Sequence, residues 1–133
     1  MIVDTSAIVA ILREEPDAER YIEALANDPE PRVPAGTYIE TAIVVDANRD
    51  PVLSGRLDDL LAASGVNVEP VTRKHAEIAR RAYRDFGKGS GHPAGLNFGD
   101  CFAYALARAT GEPLLYKGED FSRTDVASAL GGT

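Results

Sequence analysis

The sequence predicts a single α/β domain built on a largely parallel sheet, and three observations carry that prediction. Short apolar runs, "MIV" at the start and "LLY" at 114–116, have the length and character of buried strands. Longer stretches between such runs place apolar residues at helical spacing, with recognisable start and stop residues. Strand and helix patterns alternate along the chain, the order that a parallel sheet with crossover helices produces. At 133 residues and 44% hydrophobic composition the chain has the material for one core, and no internal repeat divides it, so residues 1–133 read as one domain.

Each element has its own signal. "MIVD" is a buried strand running into "TSAIVAIL", which is apolar all round, as a helix covered on both sides would be. Pro16 suits a first helical turn, Asp17 and Glu19 suit the positive end of its dipole, and Ala18, Tyr21, Ile22, Leu25 and Ala26 form an amphipathic stripe that ends near "NDPEP". "RVPA" is a brief extended piece. The segment from Thr37 to Glu40 matches a capping box, a hydroxyl and a glutamate three residues on, and predicts a third helix starting there. "PVLSGRLDDLLAAS" is a fourth helix weakened by Gly55, and "GVNVEPV" alternates like a strand. Thr72 caps "RKHAEIARRAYRDF", whose Ala79, Tyr83 and Phe86 share a face and which Gly87 stops. After the glycine-rich loop "GKGSGHPAGLNFG" come the helix "DCFAYALARAT", the strand "LLY", the polar turn "KGEDFSRTD" and a final "VASAL". Residues 130–133 read as a frayed tail.

Composition narrows the class of protein. The single cysteine, Cys101, forms no intramolecular disulfide, and "MIVD" lacks the basic start of a signal peptide. No apolar run approaches a membrane span, so the expectation is a cytoplasmic protein with no membrane association. The net charge of −7 argues mildly against casual nucleic-acid binding, but the charge is uneven. Residues 1–72 carry 14 acids and 5 bases, whereas residues 73–133 carry 7 acids and 9 bases.

In parallel sheets the ligand crevice lies beyond the carboxyl ends of the strands. Asp4 follows the first strand, Glu40 follows "RVPA", Asp120 follows "LLY", and Asp100 opens the helix before that strand. Each has an ordinary explanation: Asp4 as a helix cap, Glu40 as the capping-box partner of Thr37, Asp100 as a first-turn acid, Asp120 as a turn former. Together they are harder to explain that way, because four acids beside apolar segments repel one another unless a cation joins them. A hard divalent ion, Mg²⁺ or Mn²⁺, takes carboxylate and water oxygens and supplies that partner.

The stretches "MIVDTSAIVAIL", "YIETAIVV" and "LNFGDCFAYALARATGEPLLYKGEDFSRTDV" resemble a PIN-domain ribonuclease, and more narrowly a VapC-type toxin of a type II toxin–antitoxin system. The resemblance spans nearly the whole chain. It implies that Asp4, Glu40, Asp100 and Asp120 are the catalytic, metal-binding acids, with Thr5 or Ser6 as a supporting hydroxyl. The last member stays open among Glu119, Asp120 and Asp125. It further implies a PIN-like α/β/α sandwich with a mostly parallel sheet of about five strands, a usual size. A Mg²⁺-dependent endoribonuclease, a homodimer and a cognate VapB-type antitoxin are implied with it. The implied substrate is a structured RNA, transfer or ribosomal, and the implied products carry 5′-phosphate and 3′-hydroxyl ends.

Other constellations carry less. His75 and His92 show no metal-ligand spacing, and Cys101 has no base nearby in sequence. "GKGSG" is no phosphate loop, since Ala82 stands where the first glycine belongs. Lys117 after a late strand suggests a phosphotransfer receiver domain, but "VNVEPVT" ends without an acceptor aspartate. Ser6, two residues after Asp4, replaces the second acid of an aspartyl-nucleophile phosphatase. Arg73, Lys74, Arg80, Arg81, Arg84 and Lys88 share one stretch with only Glu77 and Asp85, which reads either as a solvated helix face or as an RNA-tracking surface. A catalytically silent PIN-like binding module is the rival to the nuclease reading.

Overall fold

The computed structural model describes residues 1–131. It contains, in order, β1 (Ile2–Val3), α1 (Thr5–Leu12), α2 (Ala18–Asn27), β2 (Arg32–Pro34), α3 (Ala35–Asp46), α4 (Pro51–Ala63), β3 (Asn67–Glu69), α5 (Arg73–Phe86), α6 (Phe98–Thr110) and β4 (Leu114–Leu115). The strands form one parallel sheet in the order β3-β2-β1-β4, so β1 and the Asp4 that follows it lie inside the sheet.

Two-residue strands suffice here because period-two alternation sends successive side chains to opposite layers. Ile2 and Leu114 face a core shared with Leu96, Ala103, Leu106 and Phe121, on the α5–α6 side. Val3 and Leu115 face the other layer, with Ile8, Tyr21, Leu25, Val45 and Leu57 from α1 to α4. All four strand residues are fully buried, and each such side chain contributes roughly 1.5–3 kcal/mol. The expected α/β/α sandwich is thus present.

Several details differ from expectation. Among the described residues the sheet has four strands, and the place of a fifth is taken by a single parallel bridge, Leu114 to Ser128, flanked by a turn. Leu130 is not frayed: its amide donates to the Ser128 hydroxyl and its side chain packs on the second core, while residues 132–133 lie outside the described part. Helix α3 begins at Ala35, directly after Pro34, so Thr37 is inside the helix and faces the core. The Thr37–Glu40 capping box does not form. The box at the start of α5 joins Thr72 to His75, and that at α6 joins Asn97 to Asp100. Gly55 sits on an exposed face of an unbroken α4, where it meets no neighbour. The stem of the glycine-rich loop is pinned by the Lys88 amide donating to the Leu96 carbonyl and the Leu96 amide donating to the Phe86 carbonyl, and Leu96 is fully buried.

Candidate active site

The carboxyl end of β1 puts Asp4 at the head of α1. Its Oδ2 accepts from the Ser6 amide at 3.0 Å and the Ser6 hydroxyl at 2.7 Å, so the residue does cap the helix. The cap uses one oxygen only. Oδ1 is buried without a hydrogen-bond partner, an expensive state for an acceptor. Burial pushes the acid up to about 6, against the pull of the Ser6 bonds and with a further push from the Glu40 charge.

Asp100 reaches the same place from α6. Asn97 caps that helix through its side-chain oxygen on the Asp100 amide at 2.9 Å, and Asp100 Oδ2 returns the favour to the Asn97 amide at 3.0 Å. The side chain is buried. Its acid is raised, first by burial and then by the charges of Asp4 and Asp120, while the Asn97 amide pulls the other way. Asp120 is exposed in the turn after β4, near enough for its charge to add to the push on Asp100.

Glu40 is held by partners far away in sequence. Its Oε1 accepts from the Thr5 hydroxyl at 2.7 Å, and Thr41 Oγ1 lies 2.8 Å from both the Thr5 hydroxyl and the Thr37 carbonyl. A proton order running from Thr41 to Thr5 to Glu40 satisfies the two side-chain contacts with the two hydroxyl protons available. The other oxygen of Glu40 presses against Gly99, where an added Cβ would overlap the carboxylate. The absence of a side chain at Gly99 is therefore what lets α3 bring its acid up to α6. We expect Gly99→Ala to fold but to expel Glu40 from this position. Nuclease activity should fall about as far as in a Glu40 variant, with secondary structure unchanged by circular dichroism.

The expected acids Asp4, Glu40, Asp100 and Asp120 are thus brought into one chain of neighbours. Asp125 stands apart from it, accepting from the Tyr104 hydroxyl at 2.7 Å and facing Arg108 at 3.6 Å. Glu119 points to Arg123 at 3.5 Å and is well exposed. Asp120 is the one of these three that meets the group. Gly99, Asn97 and Thr41 were not singled out by sequence. Only Asn97 had a local signal, the N-x-x-D spacing to Asp100.

The basic residues Arg73, Lys74, Arg80, Arg81 and Arg84 are exposed along α5, and Lys88 is exposed just beyond it. Arg73 pairs with Glu77 and Arg84 with Asp85, and a groove of about 520 Å³ runs along Arg73, Glu77, Arg80, Arg81 and Arg84. Helix α5 packs on α6, the carrier of Asp100. Apolar surface borders the acids on the α3 side, where Ile39, Ile43 and Phe98 are exposed beside Glu40 and Gly99.

The donors suit a hard cation. A buried oxygen without a partner, a carboxylate set short of positive charge, and no competing histidine or thiolate are what Mg²⁺ or Mn²⁺ accepts. Among the described residues no three His, Cys, Asp or Glu side chains stand together in a position to hold a metal ion. Mg²⁺ retains several waters and needs only one or two protein carboxylates, so this arrangement suits it.

A short parallel sheet lies between two helical layers, with acids beyond its carboxyl edge. The PIN domain matches residues 1–127, and the chain belongs to that family. Its relatives within it are VapC ribonucleases: Ribonuclease VapC28 of Mycobacterium tuberculosis is 59% identical over 130 residues, 98% of each chain. The fold is also that of Mycobacterium tuberculosis VapC20, a Sarcin-Ricin loop cleaving toxin, with a TM-score of 0.72 and 18% identity over 95% of both chains. A toxin-antitoxin complex from Klebsiella pneumoniae is similar at a TM-score of 0.67 and 17% identity, covering 90% of this chain and 88% of that one. Among the described residues no helix is long and apolar enough to cross a membrane.

Proposed function

We propose that this chain is a Mg²⁺-dependent endoribonuclease toxin that hydrolyses phosphodiester bonds in structured RNA, transfer or ribosomal, and is inhibited by a cognate VapB-type antitoxin. The observation that carries the reading is Asp4 Oδ1, a buried oxygen without a partner, with the charge of Glu40 acting on Asp4 and those of Asp4 and Asp120 acting on Asp100. The VapC ribonuclease relatives support the reaction, and the Sarcin-Ricin loop named as the target of VapC20 supports the substrate class.

Asp4, Asp100, Glu40 and Asp120 are the residues that would hold the ion. When bound, a divalent ion lowers the pKa of a water and offsets charge on the attacked phosphate. Ser6 keeps Asp4 oriented, and Thr5 does so for Glu40. Burial keeps Asp4 and Asp100 poorly hydrated, so that a cation gains more beside them than at an exposed site. The basic face of α5 offsets the repulsion between this acidic crevice and RNA.

A cognate antitoxin would place a basic side chain among the acids, which are short of positive charge. The exposed Ile39, Ile43 and Phe98 supply apolar surface for such a partner or for the homodimer. The test is incubation of the purified, antitoxin-free chain with total RNA, with and without Mg²⁺ or Mn²⁺, followed by mapping of the cut ends. Discrete cuts only with the ion are expected, and intact RNA under every condition would favour the silent binding module.

Replacing Arg80, Arg81 and Arg84 together by alanine is expected to weaken RNA binding across sequences and to flatten its salt dependence, because phosphate contacts release counterions. Metal binding should be unaffected. An unchanged salt slope would mean that these arginines are only a solvated helix face.

A further inference from the structure

Lys117 is the first residue beyond Tyr116 at the carboxyl end of β4, and it is tied to the site in two ways. Its amide donates to the Ser6 hydroxyl at 2.9 Å, and that hydroxyl donates its one proton to Asp4 Oδ2. Its ammonium bridges Glu15 at 2.8 Å and Asp17 at 2.9 Å, both in the turn between α1 and α2. Asp17 in turn accepts from the Tyr21 hydroxyl at 3.2 Å, which anchors the bridge to a residue buried in the core.

Both segments that meet there need holding. Glu14 adopts a left-handed conformation with φ 53°, which a residue with a side chain takes only at a cost of order 1 kcal/mol or more. Gly118 follows Lys117 with φ 100°, so the chain reverses there and carries Asp120 back toward Asp100. The stretch from Gly118 to Asp120 is exposed, and no side chain of it is buried in either core. Beyond Asp120 the chain is anchored by Phe121, buried in the first core, and before it by the stem at Lys117, so the two together bracket the exposed turn.

We propose that Lys117 is a positioning residue: its double ion pair to Glu15 and Asp17 locks the stem of the loop that carries Asp120 and the amide that orients Ser6 against Asp4. It acts through those residues and does not touch RNA. The role deepens the metal-dependent reading of the site and rests on it.

Coulomb's law and positioning predict different outcomes for the same variant. Lys117→Met removes a positive charge from the residue whose amide is bonded to Ser6, and like any loss of positive charge near a cation site this would by itself leave unchanged or tighten the binding of a divalent cation. Positioning predicts weaker binding, on the order of the 10–100-fold that loss of an orienting partner costs a metal site. Surface ion pairs contribute little to folding, so the variant should melt close to wild type. Lys117→Arg keeps both ion pairs and should restore affinity.

The experiment is titration of Mn²⁺ alone into the metal-free chain by calorimetry, for wild type, Lys117→Met and Lys117→Arg. It is paired with hydrogen exchange of residues 118–121 in the same metal-free proteins. Weaker Mn²⁺ binding and faster exchange in Lys117→Met, both recovered in Lys117→Arg, are the expected results. Equal or tighter binding in Lys117→Met, beside a wild type that binds, overturns the role of Lys117 and leaves the metal reading standing. A wild type that binds no Mn²⁺ overturns the metal reading and this role with it.

Discussion

Asp4→Asn and Asp100→Asn are each expected to abolish detectable ribonuclease activity while making the metal-free protein more stable at pH 8. Loss of an orienting partner alone costs a metal site about 10–100-fold, and loss of the charged ligand itself should exceed that. The gain in stability follows from the unpaired oxygen of Asp4. Asparagine can keep its carbonyl on the Ser6 donors and place an NH₂ where Oδ1 now lies unsatisfied, facing neighbouring acids.

The pH dependence has a definite sign. The native state of Asp4 takes up its proton near pH 6 and the unfolded state near the ordinary value of 3.8, so the native state holds more protons between them. Stability from this group is thus complete below about pH 4 and is lost as pH rises through 6, with a total of about 3 kcal/mol for a shift of about two units. Asp100 is shifted in the same direction. Metal-free wild type should therefore melt at higher temperature at pH 5 than at pH 8, and Asp4→Asn should flatten that difference. Asp17, Asp28 and Asp85, whose acids are lowered, oppose the trend only as pH falls through the ordinary carboxylate range and below.

Glu40→Gln is the second large effect. Glutamine keeps an oxygen to accept from Thr5 and fills the same space over Gly99, so stability should stay within about 1 kcal/mol of wild type. A neutral oxygen is a poor ligand for a hard cation, so activity and divalent-ion affinity should both fall steeply. Because α3 begins at Ala35, no capping function is left to explain a loss. Melting and turnover measured on the same preparation separate the outcomes. Wild-type turnover would reduce the acidic set to three.

How much of this was legible in the sequence depended on whether the decisive partner was local. Asp4 and Asp100 stood out because a charge inside an apolar segment needs a reason, and both lie within four residues of the groups that orient them. The start of α3 was misplaced because Thr37 and Glu40 have the spacing of a capping box, yet the same spacing occurs inside any helix. Extended Pro34 set the boundary instead, and Thr37 turned to the core. The true contacts of Glu40, with Thr5 and Gly99, are 35 and 59 positions away and appear only once α3, α1 and α6 have packed. The fifth strand that the resemblance implies is reduced to a single bridge at Ser128, after which the chain turns. Choosing Asp120 over Glu119 and Asp125 likewise needed the fold, since only in three dimensions are the other two engaged by Arg123, Tyr104 and Arg108.

The central claim is that carboxylates and a divalent ion, and not a neighbouring ribose hydroxyl, drive strand cleavage. The most direct measurement uses an RNA oligonucleotide that carries a mapped cut site, with and without a single 2′-deoxy sugar at that position, in Mg²⁺ or in excess chelator. The account predicts cutting of both oligonucleotides in Mg²⁺ only, leaving 5′-phosphate and 3′-hydroxyl ends. Cyclic 2′,3′-phosphate ends, resistance of the 2′-deoxy substrate, or full activity in chelator would contradict it.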